Sequence, residues 1–510
     1  MFCSVFSGGV RGIEGFPVCV ETDISNGMPA FDIVGYAGNE VREAKDRVRT
    51  SLRNSGYTLP VAHITANLSP GDIKKSGTGF DLPLALSVLI CMGEVDAASL
   101  DGTLVAGELS LSGGVSGIKG ILPIMIMAKK NGIKKCIIPA ANVKEGSVIE
   151  GLDVYGVSSL EEVILHLNGK KCIDPAASRL KNLLVQRREY ANDFSRIKGQ
   201  KMARRGAEIA AAGLHNILMM GPPGAGKTLI AKSIPSIMPP LSEEECLEVS
   251  AIYSVRGALS EGEPLITQRP FVSAHSSSTD ISLVGGGAIP RPGAVSLAHK
   301  GVLFLDEIPE FSRKALESLR QPLEDGCVHI SRNRDICTFP ADFMLVAAMN
   351  PCPCGHYPDM NRCTCDDAKR TRYLSRISGP FLDRIDICIT AEKVSLSDIQ
   401  SAEEAESSAA IRQRVIRAHA IQEKRFEGLG ISFNSQMGNR EIERFCVLGQ
   451  KEQELIKKIA TQKGMSARTY YRVLKVARTI ADLSGQSDID SAALLEAVRL
   501  KGGLNGRQDI

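Results

Sequence analysis

Short apolar runs and helical periodicities alternate along the chain, and their order divides it. Up to residue 170, β-like runs at 18–23, 62–67 and 135–139 are interleaved with helical stretches. Residues 39–55 carry apolar side chains at helical spacing amid charges, which predicts an amphipathic helix. Residues 76–89 read as a glycine-rich turn entering a buried helix, 107–115 as a hairpin and 121–131 as a helix. From 171 to 198 the chain is polar and basic, with little apolar periodicity after Val185. From 199 to 392 apolar strands alternate with helices, the signature of an α/β domain. Beyond 393 the pattern is wholly helical. Helices are predicted over 397–427, 439–446, 452–462, 467–482 and 491–499, with Ser395, Asn439, Ser466 and Asp488 as N-caps. The tail from Gly502 to Ile510 reads as frayed.

Two strand ends in the α/β region carry candidate chemistry. The apolar run at 216–220 leads into Gly221-Pro222-Pro223-Gly224-Ala225-Gly226-Lys227-Thr228, and a helical pattern follows. This is the P-loop spacing. Its glycines let backbone N–H groups turn inward around a phosphate, and the following helix adds its positive end. Lys227 is expected to reach the β- and γ-phosphates of ATP, and Thr228 to hold Mg²⁺. The run Gly301-Val-Leu-Phe-Leu-Asp306-Glu307 ends in two carboxylates, the Walker B pattern. Asp306 is expected to bind the same Mg²⁺, directly or through water, and Glu307 to polarise the attacking water.

Composition sets bounds on this picture. The chain has 510 residues, enough for about three domains. It is 43% hydrophobic, 23% charged and has a net charge of +3, so any nucleic-acid contact must come from local basic patches. Arg179, Lys181, Arg187, Arg188, Arg196, Lys198 and Lys201 form one such stretch, either a solvated linker helix or a DNA-facing patch. No apolar run is long enough to span a bilayer, and the start lacks a basic leader, so no membrane association is expected. Fourteen cysteines without an export signal predict reduced thiols in the cytoplasm. Four are clustered as Cys352-Pro-Cys354 and Cys363-Thr-Cys365. They suit a structural tetrahedral Zn²⁺ site, with His356 as a substitute ligand; the alternative is a loop of reduced thiols.

The motif series Ile289-Pro-Arg-Pro-Gly-Ala-Val-Ser-Leu-Ala-His-Lys-Gly-Val-Leu-Phe-Leu-Asp-Glu-Ile-Pro-Glu-Phe311, Asn350-Pro-Cys-Pro-Cys-Gly355 and Ser378-Gly-Pro-Phe-Leu-Asp-Arg-Ile-Asp386 resembles the ComM/YifB family, a magnesium-chelatase-like branch of the AAA+ ATPases. The resemblance runs over essentially the whole chain. It implies a Lon-protease-like, ribosomal-S5-like α+β domain at 1–170, a basic linker at 171–198, an AAA+ P-loop core at 199–392 and a C-terminal α-helical lid at 393–510. It also implies a hexameric ring that works on single-stranded or branched DNA as a helicase, promoting branch migration during natural transformation. The alternative is a chaperone-like ATPase that remodels a protein partner, as the magnesium-chelatase ATPase subunit does.

Several residue roles follow from the resemblance alone. Gly107-Glu-Leu-Ser-Leu and Gly132-Ile-Lys-Lys-Cys-Ile-Ile-Pro139 resemble Lon, whose nucleophilic Ser falls at Gly79 here and whose Lys falls near Ile124. A non-proteolytic domain is therefore implied. Ile197, Gly199 and Gln200 correspond to an adenine pocket. Asn350, at the end of the apolar run 343–349, corresponds to sensor 1. Arg384 corresponds to an arginine finger reaching a neighbour's γ-phosphate, with Arg376 as the second choice. Arg468 corresponds to sensor 2, with Arg472 one turn on. The stretch 326–339 alternates like a hairpin with Arg332 and Arg334 at its tip, which is either a DNA-tracking pore hairpin or a solvated turn. Residues 272–292 are a second candidate pore loop. Where the family has two adjacent histidines, this chain has His275 followed by Ser276.

Overall fold

The computed structural model describes residues 1–178, 180–185, 190–260, 262–287, 290–332, 335–393 and 405–502. They form two compact units. The first comprises Met1–Arg187 with Glu243–Thr267, and the second Arg188–Ser242 with Gln268–Ile510.

The first unit is built on a seven-stranded sheet. Its spatial order is Ala30–Val34, His63–Ser69, Glu14–Ser25, Phe2–Arg11, Thr103–Val105, Lys135–Pro139 and Asp153–Val157. The two long strands pair antiparallel around Gly12, whose φ of +64° makes the tight turn possible. From Thr103 onward the strands run parallel. Alternate residues Val18, Val20 and Thr22 point inward onto helix Asp81–Met92, in which all residues except Met92 are buried. Asp81 is wholly buried. Arg47 holds it bidentately, Nε to Oδ2 at 2.7 Å and Nη2 to Oδ1 at 2.9 Å, and the Leu109 N–H adds a third bond. Gly79 abuts the Ile118 side chain, and Ile124 is core, so neither expected Lon position carries a nucleophile or a base.

Two sequence expectations change here. The helix expected over 39–55 is two helices, Asn39–Arg42 and Ala44–Asn54, that meet at Glu43. Residues 243–267, expected within the second domain, return to the first unit. The reason lies at the start of helix Ile121–Lys130, whose leading N–H groups need acceptors. Helix Glu243–Arg256 supplies one of them: the Gly120 N–H donates to the Ser254 carbonyl at 3.1 Å, and the Leu122 N–H, which donates to Glu145 Oε1 at 3.1 Å, also lies 3.4 Å from Ser254 Oγ.

The second unit holds a five-stranded, all-parallel sheet. Its order is Phe271–Ala274, Val302–Leu305, Met344–Met349, Ile217–Met220 and Ile387–Thr390. The central strands are buried on both faces, which explains their unbroken apolar runs. The helices that follow in the chain, Ser408–Arg425, Asn439–Phe445, Gln450–Lys463, Ala467–Leu483 and Ser491–Lys501, share one apolar core with this sheet. Ser466 caps its helix as expected. Asp490, not Asp488, caps the last helix, because its carboxylate lies within reach of the Ala493 N–H. Asn439 is the first helical residue behind Gly438, and Ser395 lies outside the described residues. Among the described residues no helix is long and apolar enough to cross a membrane.

Removing one partner of a buried ion pair leaves the other charge uncompensated. Arg47→Ala is therefore expected to cost the first unit about 3–5 kcal/mol. A urea melt of that unit should show the loss, and an unchanged midpoint would contradict it.

Candidate nucleotide site

The parallel register brings three strand ends level, with a fourth two residues behind. Met220 pairs with Met349 and Thr390, and Leu305 pairs with Ala347. The loops that leave these ends meet at one place, the switch point where open α/β sheets bind ligands. The P-loop strand lies between its neighbours there, and helix Lys227–Ile237 starts directly behind the loop. Gly224 and Gly226 have φ of +77° and +80°, and both face open space, so the loop leaves its backbone uncovered there. Gly221 is different: an added Cβ would lie 2.2 Å from the Ala391 carbonyl, so the loop base is pressed against the neighbouring strand.

Lys227 is buried, and its Nζ donates to the Gly221 carbonyl at 2.6 Å, the Pro222 carbonyl at 3.1 Å and Asn350 Oδ1 at 3.1 Å. Burial pushes its pKa down, against the pull of Asp306 and Glu307. Thr228 Oγ1 donates to Asp306 Oδ2 at 3.2 Å, so two hard oxygen donors lie side by side, as Mg²⁺ requires. Asp306 Oδ1 accepts the Glu307 N–H at 2.9 Å. Glu307 itself is exposed and sits at φ +50°, a conformation that costs a non-glycine residue energy and recurs at functional sites. Five expected residues, Lys227, Thr228, Asp306, Glu307 and Asn350, thus gather in one cluster.

Around this cluster the expectations fare unevenly. Ile197 is buried and Gly199 adopts φ +65° beside Gln200. Gln200 Nε2 bridges the Ala225 carbonyl, at 2.9 Å, and the Glu392 carbonyl, tying the P-loop to the chain beyond the last strand. Arg384 is 5% exposed and fully engaged within its own chain, by Glu324 and the carbonyls of Arg320 and Pro380. Arg376 is half exposed and bonds Glu310 and the Pro309 carbonyl. Arg468 is exposed, 4.0 Å from Asp383, whereas Arg472 is held by buried Asp386. The predicted hairpin forms, Cys327–Arg332 against Asp335–Pro340. Arg334 and the Arg332 side chain lie outside the described residues, as do Arg179, Arg187 and Arg188. His275 bonds Ser277 Oγ at 2.9 Å, and residues 272–292 hold a short helix and a two-stranded ribbon.

The four clustered cysteines converge as their spacing suggested. Their sulfurs lie within 4.8 Å of one another, and three separations are 3.4, 3.7 and 3.6 Å. A tetrahedron of thiolates about 2.3 Å from zinc has edges of about 3.8 Å, so the donor set fits that ion. The Tyr357 N–H points at Cys352 Sγ at 3.5 Å, and backbone N–H bonds, that of His356 foremost, hold the Cys354 thiol down to about 5.

Sequence reasoning missed Tyr373 beside the site and Asp386 at the opposite, N-terminal ends of the same strands. The Tyr373 hydroxyl lies near the Asn350 backbone, and burial pushes its pKa up to about 12. Asp386, in the same Leu382-Asp-Arg-Ile-Asp386 run as Arg384, binds Arg472 and lies 3.5 Å from His215. Nothing in the spacing marked Tyr373, whereas a carboxylate directly before the apolar run Ile387–Thr390 was a visible signal for Asp386.

A phosphate cradle and an acidic strand end on a parallel sheet define a P-loop ATPase. Family models narrow the class. That of the magnesium chelatase subunit ChlI matches residues 193–399, a second ChlI model matches 20–142, and the ChlI C-terminal model matches 405–501. The YifB protein of Salmonella typhimurium is 41% identical over 497 residues, 97% of this chain and 96% of that protein. Competence protein ComM of Haemophilus influenzae is 40% identical over 497 residues, again 97% and 96%. The magnesium-chelatase 67 kDa subunit of Heliobacterium mobile is 24% identical over 183 residues, 30% of this chain and 27% of that protein. The chain belongs to the ComM/YifB family of magnesium-chelatase-like AAA+ ATPases.

Two substitutions separate binding from hydrolysis. Lys227→Ala removes the ammonium that bonds the Gly221 and Pro222 carbonyls of the loop and should abolish binding of a fluorescent ATP analogue. Glu307→Gln should bind the analogue normally yet lose turnover by about 10²–10⁴-fold, the usual worth of a general base. Normal turnover by Glu307→Gln would show that another group activates the water.

Proposed function

We propose that this protein is an ATP-hydrolysing ring motor that acts on DNA as a helicase promoting branch migration, working in the cytoplasm. The observation that carries hydrolysis is the hydrogen-bonded grouping of Lys227 with Asn350 and of Thr228 with Asp306 and Glu307 at the P-loop. A triphosphate entering the loop would take over the Lys227 ammonium from the Gly221 and Pro222 carbonyls. Thr228 and Asp306 would hold Mg²⁺, which when bound neutralises phosphate oxygens. Asn350 and Glu307 orient and polarise water, and Ile197 and Gly199 border the adenine. Arg468 serves as the sensor on the helical lid.

A ring, by family resemblance a hexamer, follows if an arginine from the next subunit completes the site. Arg384 and Arg376 are the two candidates. Arg384 must first leave Glu324, whereas Arg376 already presents an exposed guanidinium. The reading gives the first unit a Lon-like, non-proteolytic role and places structural Zn²⁺ at Cys352, Cys354, Cys363 and Cys365. DNA is supported by the family and by the hairpin at 327–340 with its arginine-bearing tip. The second reading, remodelling of a protein partner, is favoured by the match to the chelatase subunit.

Turnover measured with and without single-stranded or branched DNA separates the two readings. Stimulation that falls steeply with salt is expected for backbone tracking. No stimulation and no binding at low salt would leave protein remodelling as the function.

A further inference from the structure

We propose that the four-cysteine loop is a zinc-dependent clamp on the nucleotide site, so that the P-loop rim and Asn350 are held in place only while the metal is bound. This rests on the reading of the four cysteines as Zn²⁺ ligands and adds a control of ATP binding that the reading lacks.

The loop begins two residues after Asn350 and ends at Asp366, which caps helix Asp367–Leu374. Three contacts tie it to the site. Gly355, at φ +80°, packs so closely that an added Cβ would lie 2.6 Å from Pro223 Cδ on the P-loop and 3.9 Å from Asn350 Cγ. The Gly355 N–H donates to the Cys352 carbonyl at 3.0 Å, a turn that sets Cys352 and Cys354 side by side. At the far end of the loop, helix Asp367–Leu374 brings Tyr373 back near the Asn350 backbone. Asn350 is thus gripped from both ends of the loop, and its Oδ1 is a ligand of the Lys227 ammonium.

Apolar burial does not fold this loop. From residue 356 to residue 366 no side chain is buried. The interactions seen there are the sulfur cluster, a few turn hydrogen bonds, the stacking of Arg370 over Tyr357 at 4.1 Å and solvent-exposed ion pairs, Arg362 with Asp359 and Lys369 with Asp366, of a kind worth little to stability. Where a loop lacks a core, the free energy of metal binding is the free energy that orders it. Ordering of the loop and placement of Pro223 and Asn350 are then one event.

The test uses the full chain grown and purified with zinc. Wild type should carry about one zinc per chain. Stripping it with a mercurial reagent and then thiol, or replacing a ligand in Cys363→Ser, should remove the metal. A fluorescent ATP analogue should then bind at least about tenfold more weakly, the range found when outer supports of a site are lost. Zinc returned to the stripped wild type should restore binding; Mg²⁺ alone should not. Gly355→Ala keeps all four thiols but pushes the loop off Pro223. It should retain zinc and still bind the analogue more weakly, which separates the clamp from a folding defect in Cys363→Ser. Exposed Cys172→Ser should change neither quantity. A wild-type chain without zinc would overturn the ligand reading. Zinc-free protein, or zinc-loaded Gly355→Ala, with undiminished nucleotide affinity would overturn the clamp while leaving the ligand reading intact.

Discussion

The ammonium of Lys227 is the fixed point of the second unit. It is buried, and it bonds two carbonyls of its own loop and the side-chain oxygen of Asn350 on the neighbouring strand. A buried cation is costly unless its donors are satisfied, so the site is built to keep oxygens around it. The sheet accomplishes this by register: parallel pairing of Ile217–Met220 with Met344–Met349 sets Gly221 and Asn350 at the same height. Burial lowers the affinity of Lys227 for its proton, and Asp306 and Glu307 partly restore it. A polyanion is the ligand that answers all three facts, because it supplies oxygens and negative charge together.

Glu307 shows the other side of that economy. A strand that ends in two carboxylates must turn at once, and the turn is made at Glu307 in the left-handed region. The bond from its own N–H to Asp306 fixes one carboxylate inward beside Thr228, while the Glu307 carboxylate is exposed. Two adjacent acids therefore have different surroundings, one suited to a metal ion and the other to water.

Much of this was legible in the chain because it is local. Helix caps, the P-loop and the acidic strand end are set by residues a few positions apart, and Ser466, Gly226 and Asp306 stand where short-range rules put them. The cysteine pairs were legible for the same reason, since C-x-C leaves few places for two sulfurs to go. What was not legible depends on distant surfaces. The return of helix Glu243–Arg256 to the first unit depends on contacts such as the bond to the Ser254 carbonyl from the Gly120 N–H, more than a hundred residues earlier in the chain. The burial of Arg384 is decided by Glu324 on another helix. The stacking of Gly355 on Pro223 needs a loop conformation that no spacing encodes.

Asn216 and Asp386 carry the argument from the site to the helices beyond it. Asn216 Oδ1 accepts the Leu345 N–H and its Nδ2 donates to the Arg384 carbonyl, so one amide spans the roots of two strands. Its own N–H bonds Asp386, whose other oxygen is bound by Arg472 of helix Ala467–Leu483. His215 joins the same cluster, 3.5 Å from Asp386 and 2.8 Å from Thr479 Oγ1 on that helix. The Asp386 carboxyl is held well below the usual range: Arg472 and His215 outweigh the cost of its burial. A charge so placed resists separation from its partners, because pulling the helix away would strand it in an apolar core. Helix Ala467–Leu483 also carries Arg468, and the segment that holds Asp386 also carries Arg384. The helix and the arginine-bearing turn are thus joined by an ion pair to a buried carboxylate as well as by apolar packing.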